Sequence, residues 1–260
     1  MDNRPIGIFD SGLGGLTVWK EIARALPDES LVYFGDGKNC PYGSRTPEEI
    51  RQFSTEAIEF LLGKACKLIV VACNTATAAA IDYLRSRYSI PLVGMEPAVK
   101  PAALASQSGV IGIVATEGSL HGELFRAASS KYADKVRILP AVGEGFVELV
   151  ESNREETPEA VAVVRKAIEP LLEEGADQIV LGCTHYPFLT KAFRQVIGTR
   201  KVALINPAPA IARRVEFLLS QNELHAEPGR QATRTFHTAA SQDYLDKLIA
   251  KSEQAKQMDF

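Results

Sequence analysis

Residues 68–77 read LIVVACNTAT, an apolar run followed by a cysteine and the start of an alanine-rich segment. The run Leu68–Ala72 is predicted to be a strand. It has no polar face, which is typical of a parallel strand covered by helices on both sides. The segment after Cys73 is predicted to be a helix, so the thiol lies where a strand ends and a helix begins. A strand that leads directly into a helix is the unit from which α/β folds are built.

This arrangement of strand and cysteine occurs twice. Ile69–Cys73 (IVVAC) is echoed by Ile179–Cys183 (IVLGC), 183 − 73 = 110 residues later. Ile6–Ile8 (IGI) recurs at Ile111–Ile113, 111 − 6 = 105 residues later. Because the two offsets agree within five residues, the chain is predicted to contain two related halves. Such halves would face each other across a cleft, with the loops at the carboxyl ends of their strands supplying a ligand site.

Short apolar strands alternate with helical segments through most of the chain, which indicates an α/β fold with mainly parallel sheets. Eight strands are predicted, at Pro5–Phe9, Ser30–Phe34, Leu68–Ala72, Leu92–Gly94, Val110–Val114, Val136–Leu139, Gln178–Leu181 and Val202–Ile205. Seven helices are predicted, at Leu16–Leu26, Pro47–Gly63, Thr75–Arg87, Ala98–Ala105, Pro158–Glu174, Phe188–Val196 and Ala208–Leu219. Thr46 and Thr157 are N-cap residues before a first-turn proline, and Gly175 is typical of a helix C-terminus.

The two halves are predicted to be two α/β domains. The chain passes into the second half near Met95–Glu96 and returns near Asn206–Pro207, without a long linker. The first domain therefore comprises residues 1–95 and 207–260, and the second comprises residues 96–206.

Composition and charge exclude several classes of protein. Of the 260 residues, 46% are hydrophobic and 23% are charged, which excludes an intrinsically disordered chain. The net charge of −3, with no block of like charges, argues against nucleic acid or an anionic membrane as a partner. The chain has neither an apolar run of membrane-spanning length nor a signal-peptide pattern. The four cysteines form no CxxC pair, so a zinc site or a disulfide framework is disfavoured, and reduced thiols in the cytoplasm are expected.

Three short segments carry candidate chemistry. Asp10–Gly15 (DSGLGG) joins a strand to a helix, and its glycines are expected to leave backbone amides available to an anion. It matches neither a dinucleotide fingerprint nor a Walker loop. Cys73 and Cys183 each end a strand, where the positive end of a following helix would lower the thiol pKa and make the sulfur usable as a base or nucleophile. His185 lies two residues after Cys183 and could assist it.

Other cysteines and histidines lack such a context. Cys40 and Cys66 are interpreted as structural, and His121, His225 and His237 as structural or exposed. The segment from Asp36 to Gly43, taken alone, is a loop.

Together these segments resemble glutamate racemase, the enzyme that interconverts L- and D-glutamate for bacterial cell-wall synthesis. The resemblance spans about residues 5 to 205 and rests on five motifs in the family's order, namely DSGLGGLTV at 10–18, PYG at 41–43, CNTAT at 73–77, EPAVKPA at 96–102 and GCTHYP at 182–187. It implies two α/β domains related by a pseudo-twofold axis, catalysis without a cofactor or metal, and a homodimer. The chain departs from the family pattern at Gly37–Cys40 and at Asn206, where an aspartate is common.

The resemblance also assigns the site residues. Cys73 and Cys183 would be the two catalytic acid/bases, with Cys73 removing the α-proton of D-glutamate and Cys183 that of L-glutamate. The supporting groups would be Asp10, Asp36, Glu151 and His185. The residues that bind substrate would be Asp10, Ser11, Tyr42, Gly43, Asn74, Thr75, Thr184 and His185.

Two alternatives remain open. The chain could be a racemase of the same superfamily that acts on aspartate or a related amino acid. It could also be a catalytically silent member with a binding or regulatory role, although the presence of both cysteines argues against this. A cysteine hydrolase is disfavoured, because Cys73 has no histidine near it in the sequence.

Overall fold

The computed structural model describes residues 1–258; residues 259 and 260, which the sequence assigns to the first predicted domain, lie outside the described part. The described chain divides into two compact units. One unit comprises residues 1–95 and 208–258, and the other comprises residues 96–207. In each unit a parallel sheet is flanked by helices, as the apolar strands predict.

The first unit contains a five-stranded sheet in the order β4-β3-β1-β2-β9, in which every pair of neighbours is parallel. Its strands are β1 (Ile6–Asp10), β2 (Leu31–Gly35), β3 (Leu68–Val71), β4 (Leu92–Gly94) and β9 (Arg234–Thr238). Its α-helices are α1 (Leu16–Ala25), α2 (Pro47–Gly63), α3 (Asn74–Arg87), α10 (Ala208–Gln221) and α11 (Gln242–Gln257). Thr46 caps α2 as predicted: its side chain accepts from the Glu49 amide while the Glu49 carboxylate accepts from the Thr46 amide.

The second unit contains a four-stranded parallel sheet in the order β6-β5-β7-β8. Its strands are β5 (Val110–Ala115), β6 (Arg137–Val142), β7 (Gln178–Gly182) and β8 (Ala203–Ile205). Its α-helices are α4 (Val99–Ala105), α5 (Glu117–His121), α6 (Glu123–Ser130), α7 (Phe146–Glu151), α8 (Pro158–Glu173) and α9 (Thr190–Ile197). Gly175 follows α8 with a φ of +87°, the left-handed conformation that favours glycine, as predicted.

The two sheets share one strand order. The series β2-β1-β3-β4 of the first unit matches β6-β5-β7-β8 of the second, and β9 is an additional strand at the outer edge of β2. The IGI strands β1 and β5 therefore occupy equivalent positions, as do β3 and β7, which precede the two cysteines. The internal similarity in sequence thus corresponds to a repeated topology.

Several elements differ from the sequence-based expectation. Five elements of the structure, β9, α5, α6, α7 and α11, are not among those predicted from the sequence. Strand β6 continues through Pro140 to Val142, beyond its predicted end at Leu139. The proline is tolerated because β6 is an edge strand, whose outward N–H groups need no partner. The predicted helix 188–196 consists of a 3₁₀ turn at Tyr186–Leu189 followed by α9.

Each unit has its own apolar core. In the first, the ring of Trp19 lies 5.2 Å from that of Phe236, which brings β9 onto α1. In the second, Val99 of α4 packs with Ile111 and Val180 of the sheet. Within residues 1–258, no helix has both the length and the apolar character that crossing a membrane requires.

Candidate functional site

In the first unit, three neighbouring strands end in polar side chains. Asp10 is the last residue of β1, Asp36 directly follows β2, and Cys73 follows β3 after one residue. The strands lie in the order β3-β1-β2 and are parallel, so their carboxyl ends share one edge of the sheet. Asp10, Asp36 and Cys73 are all buried there. This is the edge at which parallel α/β sheets bind their ligands.

Cys73 is the N-cap of α3, which begins at Asn74, and one residue separates Cys73 from the end of β3. Its sulfur accepts a hydrogen bond from the amide of Ala76 at 3.4 Å and lies 3.5 Å from the hydroxyl of Ser11. An amide that donates to the sulfur, together with the positive end of the helix, favours a negative charge on the thiol.

The glycine-rich loop binds a carboxylate of its own chain. Oδ2 of Asp10 accepts from the amides of Gly12 at 3.2 Å and Gly15 at 3.0 Å. The expectation that the loop amides are available to an external anion is therefore wrong for these two groups. A side chain at position 15 would bring its Cβ to 2.6 Å from the Cβ of Asp10, so the turn requires glycine there.

The segment from Asp36 to Gly43 contributes an aromatic hydroxyl to the same edge. The hydroxyl of Tyr42 donates to Oδ2 of Asp36 at 2.6 Å, and the side-chain nitrogen Nδ2 of Asn39 donates to the same oxygen at 3.0 Å. Burial and the neighbouring charge of Asp36 raise the pKa of Tyr42 well above its usual range, with smaller contributions from Cys73 and Asp10. Tyr42 therefore stays protonated as a donor. Gly43 lies beside it, half-buried in the 3₁₀ turn Tyr42–Ser44.

Asn74 and Thr75 occupy the first turn of α3, and both are buried. Within the described residues, Oδ1 of Asn74 is buried without a hydrogen-bond partner. A buried acceptor left unsatisfied is destabilising by about 1–3 kcal/mol, so native proteins rarely contain one without a reason. Asn74 thus provides an acceptor beside the Cys73 thiol.

In the second unit, Cys183 follows β7 and forms the first part of a hydrogen-bonded chain of three side chains. Its sulfur lies 3.8 Å from Nδ1 of His185, and Nε2 of His185 lies 2.7 Å from Oε1 of Glu151. Cys183 and His185 are buried, and Glu151 ends α7, which follows β6. Strands β6 and β7 flank β5, so these groups again lie at the carboxyl edge of a parallel sheet.

The charge on His185 follows from these contacts. Burial alone would lower its pKa, but the hydrogen bonds and negative charges of Cys183 and Glu151 outweigh burial and raise the pKa well above its usual value. His185 is therefore an imidazolium near neutral pH, with one N–H directed at the sulfur and the other at the carboxylate.

The surroundings of Cys183 differ in one respect from the expectation. A helix was predicted to begin directly after this cysteine. The structure instead has a turn that leads into the 3₁₀ helix Tyr186–Leu189, whereas Cys73 directly caps an α-helix. A 3₁₀ helix this short has no extended dipole. The imidazolium of His185 therefore supplies the positive charge next to Cys183 that α3 supplies next to Cys73.

Two further side chains near these groups were not predicted from the sequence. Tyr186 is buried and directs its hydroxyl to the carbonyl of Gly143 at 3.4 Å; its pKa is raised by burial and by the charge of Cys183. Thr116 follows β5 where Ser11 follows β1, and the 105-residue offset between the IGI repeats could have identified it. Thr184 is buried between Cys183 and His185.

Cys66 and the remaining histidines lie in other surroundings. Burial raises the pKa of the Cys66 thiol to about 12, which makes it a poor base at neutral pH. Cys40 is half-buried. His121 is mostly exposed next to Glu117, Nε2 of His225 lies 2.9 Å from the hydroxyl of Ser220, and His237 packs edge-on against Phe60.

Replacing Glu151 by glutamine is expected to lower the pKa of His185, because a neutral amide no longer stabilises the buried imidazolium. The raised pKa also links the protonation of His185 to the free energy of unfolding. The stability that protonated His185 contributes is fully present below its unfolded-state pKa of about 6.5, and it is lost as the pH rises through the folded-state pKa. NMR titration of the His185 ring measures the shift directly. Glu148→Gln, on the exposed face of the same helix, is the matched control, and an equal shift in both variants would contradict the assignment.

Comparisons with known proteins agree with this geometry. The family model for Asp/Glu/hydantoin racemases matches residues 6–215. A glutamate racemase from Herpetosiphon aurantiacus is 45% identical over 248 residues, which cover 95% of this chain and 97% of the relative. A crystal structure of a glutamate racemase isoform from Bacillus anthracis matches with a TM-score of 0.87 and 33% identity, over 100% of this chain and 97% of that one. The glutamate racemase from Francisella tularensis, crystallised in complex with D-glutamate, matches with a TM-score of 0.83 and 26% identity, over 100% and 96% of the two chains.

Proposed function

The chain belongs to the Asp/Glu/hydantoin racemase family, and from this premise we propose that it interconverts L- and D-glutamate without a cofactor. The observation that carries the proposal is the equivalent placement of two buried thiols. Cys73 and Cys183 follow strands at matching positions of the two sheets, and each has a source of positive charge next to its sulfur.

Racemisation requires removal of the α-proton from one face of the substrate and return of a proton to the other. In the proposed reaction the thiolate of Cys183 takes the α-proton of L-glutamate and becomes a thiol. The electron pair of the broken C–H bond remains on the α-carbon, and the thiol of Cys73 protonates the opposite face, giving D-glutamate and a Cys73 thiolate. In the opposite direction Cys73 removes the proton and Cys183 returns one.

Four charged groups would tune the two thiols. Glu151 holds His185 protonated, and this imidazolium stabilises the Cys183 thiolate. Asp10 orders the loop that carries Ser11, whose hydroxyl contacts Cys73. Asp36 fixes the hydroxyl of Tyr42 at the same edge. These contacts are present before substrate binds, as preorganised electrostatic stabilisation requires.

The substrate would be held by groups that flank the two thiols. Oδ1 of Asn74 would accept a hydrogen bond from the substrate ammonium, which would satisfy this buried oxygen. Hydroxyls and amides would bind the two carboxylates. The proposed binding residues are Asp10, Ser11, Tyr42, Gly43, Asn74, Thr75, Thr184 and His185.

Chiral analysis of L-glutamate incubated with the purified protein tests the proposal. D-glutamate should accumulate to the racemic mixture after dialysis against EDTA and without any added cofactor. L-aspartate, offered at the same concentration, should react far more slowly, because the curated relatives at 39–46% identity are glutamate racemases. No turnover of either amino acid would favour a silent binding protein, and faster turnover of aspartate would favour the other racemase.

The structural cysteines provide a separate test. Cys40→Ala and Cys66→Ala should keep most of the racemase turnover, because neither thiol belongs to the proposed machinery. Cys66→Ala should lower the free energy of unfolding by about 0.5–3 kcal/mol, the usual range for a core substitution. Turnover measured at matched concentrations of folded protein distinguishes the two effects. Loss of turnover in either folded variant would show that the division of the four cysteines is wrong.

The proposed setting follows from the activity. D-glutamate would serve peptidoglycan synthesis, and the enzyme would act in the cytoplasm, with neither nucleic acid nor a membrane as a partner.

We further propose that residues 1–95 with 207–260 and residues 96–206 are its two domains, and that it forms a homodimer. The homodimer is proposed from the resemblance to glutamate racemases alone. Light scattering should give twice the chain mass of 28.2 kDa.

A further inference from the structure

A cavity of about 410 Å³ lies in the second unit, between helix α9 and strand β8. Its apolar wall includes Leu181, Ile197 and Leu204, and its polar wall includes Arg194 and Arg200. The volume is in the range of small-molecule sites. Such sites also combine a mainly apolar wall with a few polar groups, as this cavity does. None of the residues proposed to bind or convert glutamate lines this cavity.

One wall of the cavity is the open edge of the sheet. Strand β8 is the last strand, and the amide of Ala203 bonds inward to the carbonyl of Asp177 at 2.9 Å. Successive residues of a strand direct their backbone groups to opposite sides, so the N–H and C=O of Leu204 are directed away from β7. The edge at Leu204 therefore offers a backbone donor and acceptor beside the cavity.

The two arginines give the cavity a surplus of positive charge. Arg200 is held in place by the carbonyl of Val196 at 3.2 Å and by the carboxylate of Glu169. Glu169 also pairs with Arg165, so one negative charge is shared by two positive ones. The guanidinium group of Arg194 has no hydrogen-bond or ionic partner within residues 1–258. The two arginines that line the cavity carry a summed charge of +2, of which the shared carboxylate of Glu169 offsets a part.

We propose that this cavity binds the phosphate group of a small phosphate monoester. A monoester carries a charge of about −1.5 to −2 at pH 7, opposite in sign to the two arginines that line the cavity. The guanidinium groups of Arg194 and Arg200 present several N–H donors in a planar fork, the geometry that suits a phosphate. The organic part of the ligand lies against Leu181, Ile197 and Leu204.

The position of the cavity links it to the proposed reaction site. Leu181 lies two residues before Cys183 on the same strand, and Thr190, another wall residue, begins α9 directly after the 3₁₀ helix that follows His185. A ligand in the cavity contacts elements on both sides of the segment Cys183–His185. Binding there is nevertheless a separate property, and it does not depend on the chain being a racemase.

NMR titration of the isotopically labelled full-length protein with phenyl phosphate tests this site. Saturable shifts are expected for backbone amides of residues 190–206. Benzoate, which has the same ring and one negative charge, should bind at least tenfold more weakly, and inorganic phosphate, which lacks the ring, should also bind more weakly. The titration reports binding without any measurement of turnover.

Two variants on the same helix complete the test. Arg194→Met keeps the apolar stem and removes the charge, and it should weaken phenyl phosphate binding at least tenfold. Lys191→Met removes an exposed charge that pairs with Glu156 and does not line the cavity, and it should leave the affinity within about twofold. The absence of saturable binding, shifts confined to Ser11 and Thr75, equal affinity for benzoate, or wild-type affinity in Arg194→Met would each overturn the proposal.

Discussion

Alanine in place of either Cys73 or Cys183 is expected to lower the rate of racemisation by at least about 10²–10⁴-fold in both directions. A positioned acid or base contributes about this much, and in the proposed reaction each thiol serves one face of the substrate. The overall reaction requires both proton transfers, so loss of one thiol stops both directions. Circular dichroism of glutamate, starting from each enantiomer in turn, measures the two rates.

The control is Cys66→Ala, which removes a buried thiol whose raised pKa makes it unfit as a base. Each variant should retain the wild-type far-UV spectrum and saturable binding of glutamate, which separates lost chemistry from lost structure. Near-normal racemisation by a variant with a single catalytic cysteine would refute the two-base assignment.

Deuterated water distinguishes two bases from one in the wild-type enzyme. With two thiols, the proton returned to the α-carbon comes from a group that has exchanged with solvent. Product formed early in the reaction should therefore carry deuterium at the α-carbon. A single base that returned the proton it removed would leave much of the original hydrogen in the product, as mass spectrometry would show.

The largest expected loss of stability lies away from the thiols, at the buried ion pair of Lys67 and Glu29. Nζ of Lys67 lies 2.6 Å from Oε2 of Glu29, and the two side chains are 0% and 3% exposed. Lys67→Met leaves the Glu29 carboxylate buried without its counter-charge. The free energy of unfolding should fall by about 3–5 kcal/mol, the usual cost of breaking a buried pair from one side. Urea denaturation followed by circular dichroism measures it.

Two controls show whether the unpaired charge is responsible. The double variant Lys67→Met, Glu29→Gln removes both charges and should recover a large part of the loss. Lys191→Met breaks an exposed pair with Glu156 and should change stability by at most about 1 kcal/mol. A double variant no more stable than Lys67→Met would indicate that the loss comes from packing.

The sequence predicts the fold class well because the decisive signals are local. Apolar strands such as Leu68–Val71 lie in the sheet interior, and capping residues such as Thr46 mark their helices within one turn. Strand β9 could not be predicted from the sequence, for a physical reason. Strand β9 (RTFHT) is largely polar, and it is defined by pairing with β2, about 200 residues earlier in the chain.

The residues of the candidate site also differ in how far the sequence predicts them. The two cysteines could be identified from their position at strand ends and from the internal repeat. The partner of His185 is Glu151, 34 residues earlier in the chain, and only the packing of α7 determines that distance. The glycine loop was misinterpreted although its contacts are local. Its composition indicates anion binding, but composition alone does not reveal that the anion is the carboxylate of Asp10 in the same loop.

The pairing of β9 with β2 has a consequence for the order in which the chain folds during synthesis. The unit of residues 96–207 is one uninterrupted segment and is complete once residue 207 has left the ribosome. The other unit needs residues from both ends of the chain, so its β2 edge stays uncovered until residues 234–238 are made. Contacts between segments so distant in sequence form slowly, and an unpaired strand edge is prone to aggregation. We therefore expect the first unit to fold after the second, and the nascent chain to be most prone to aggregation before residues 234–238 pair with β2.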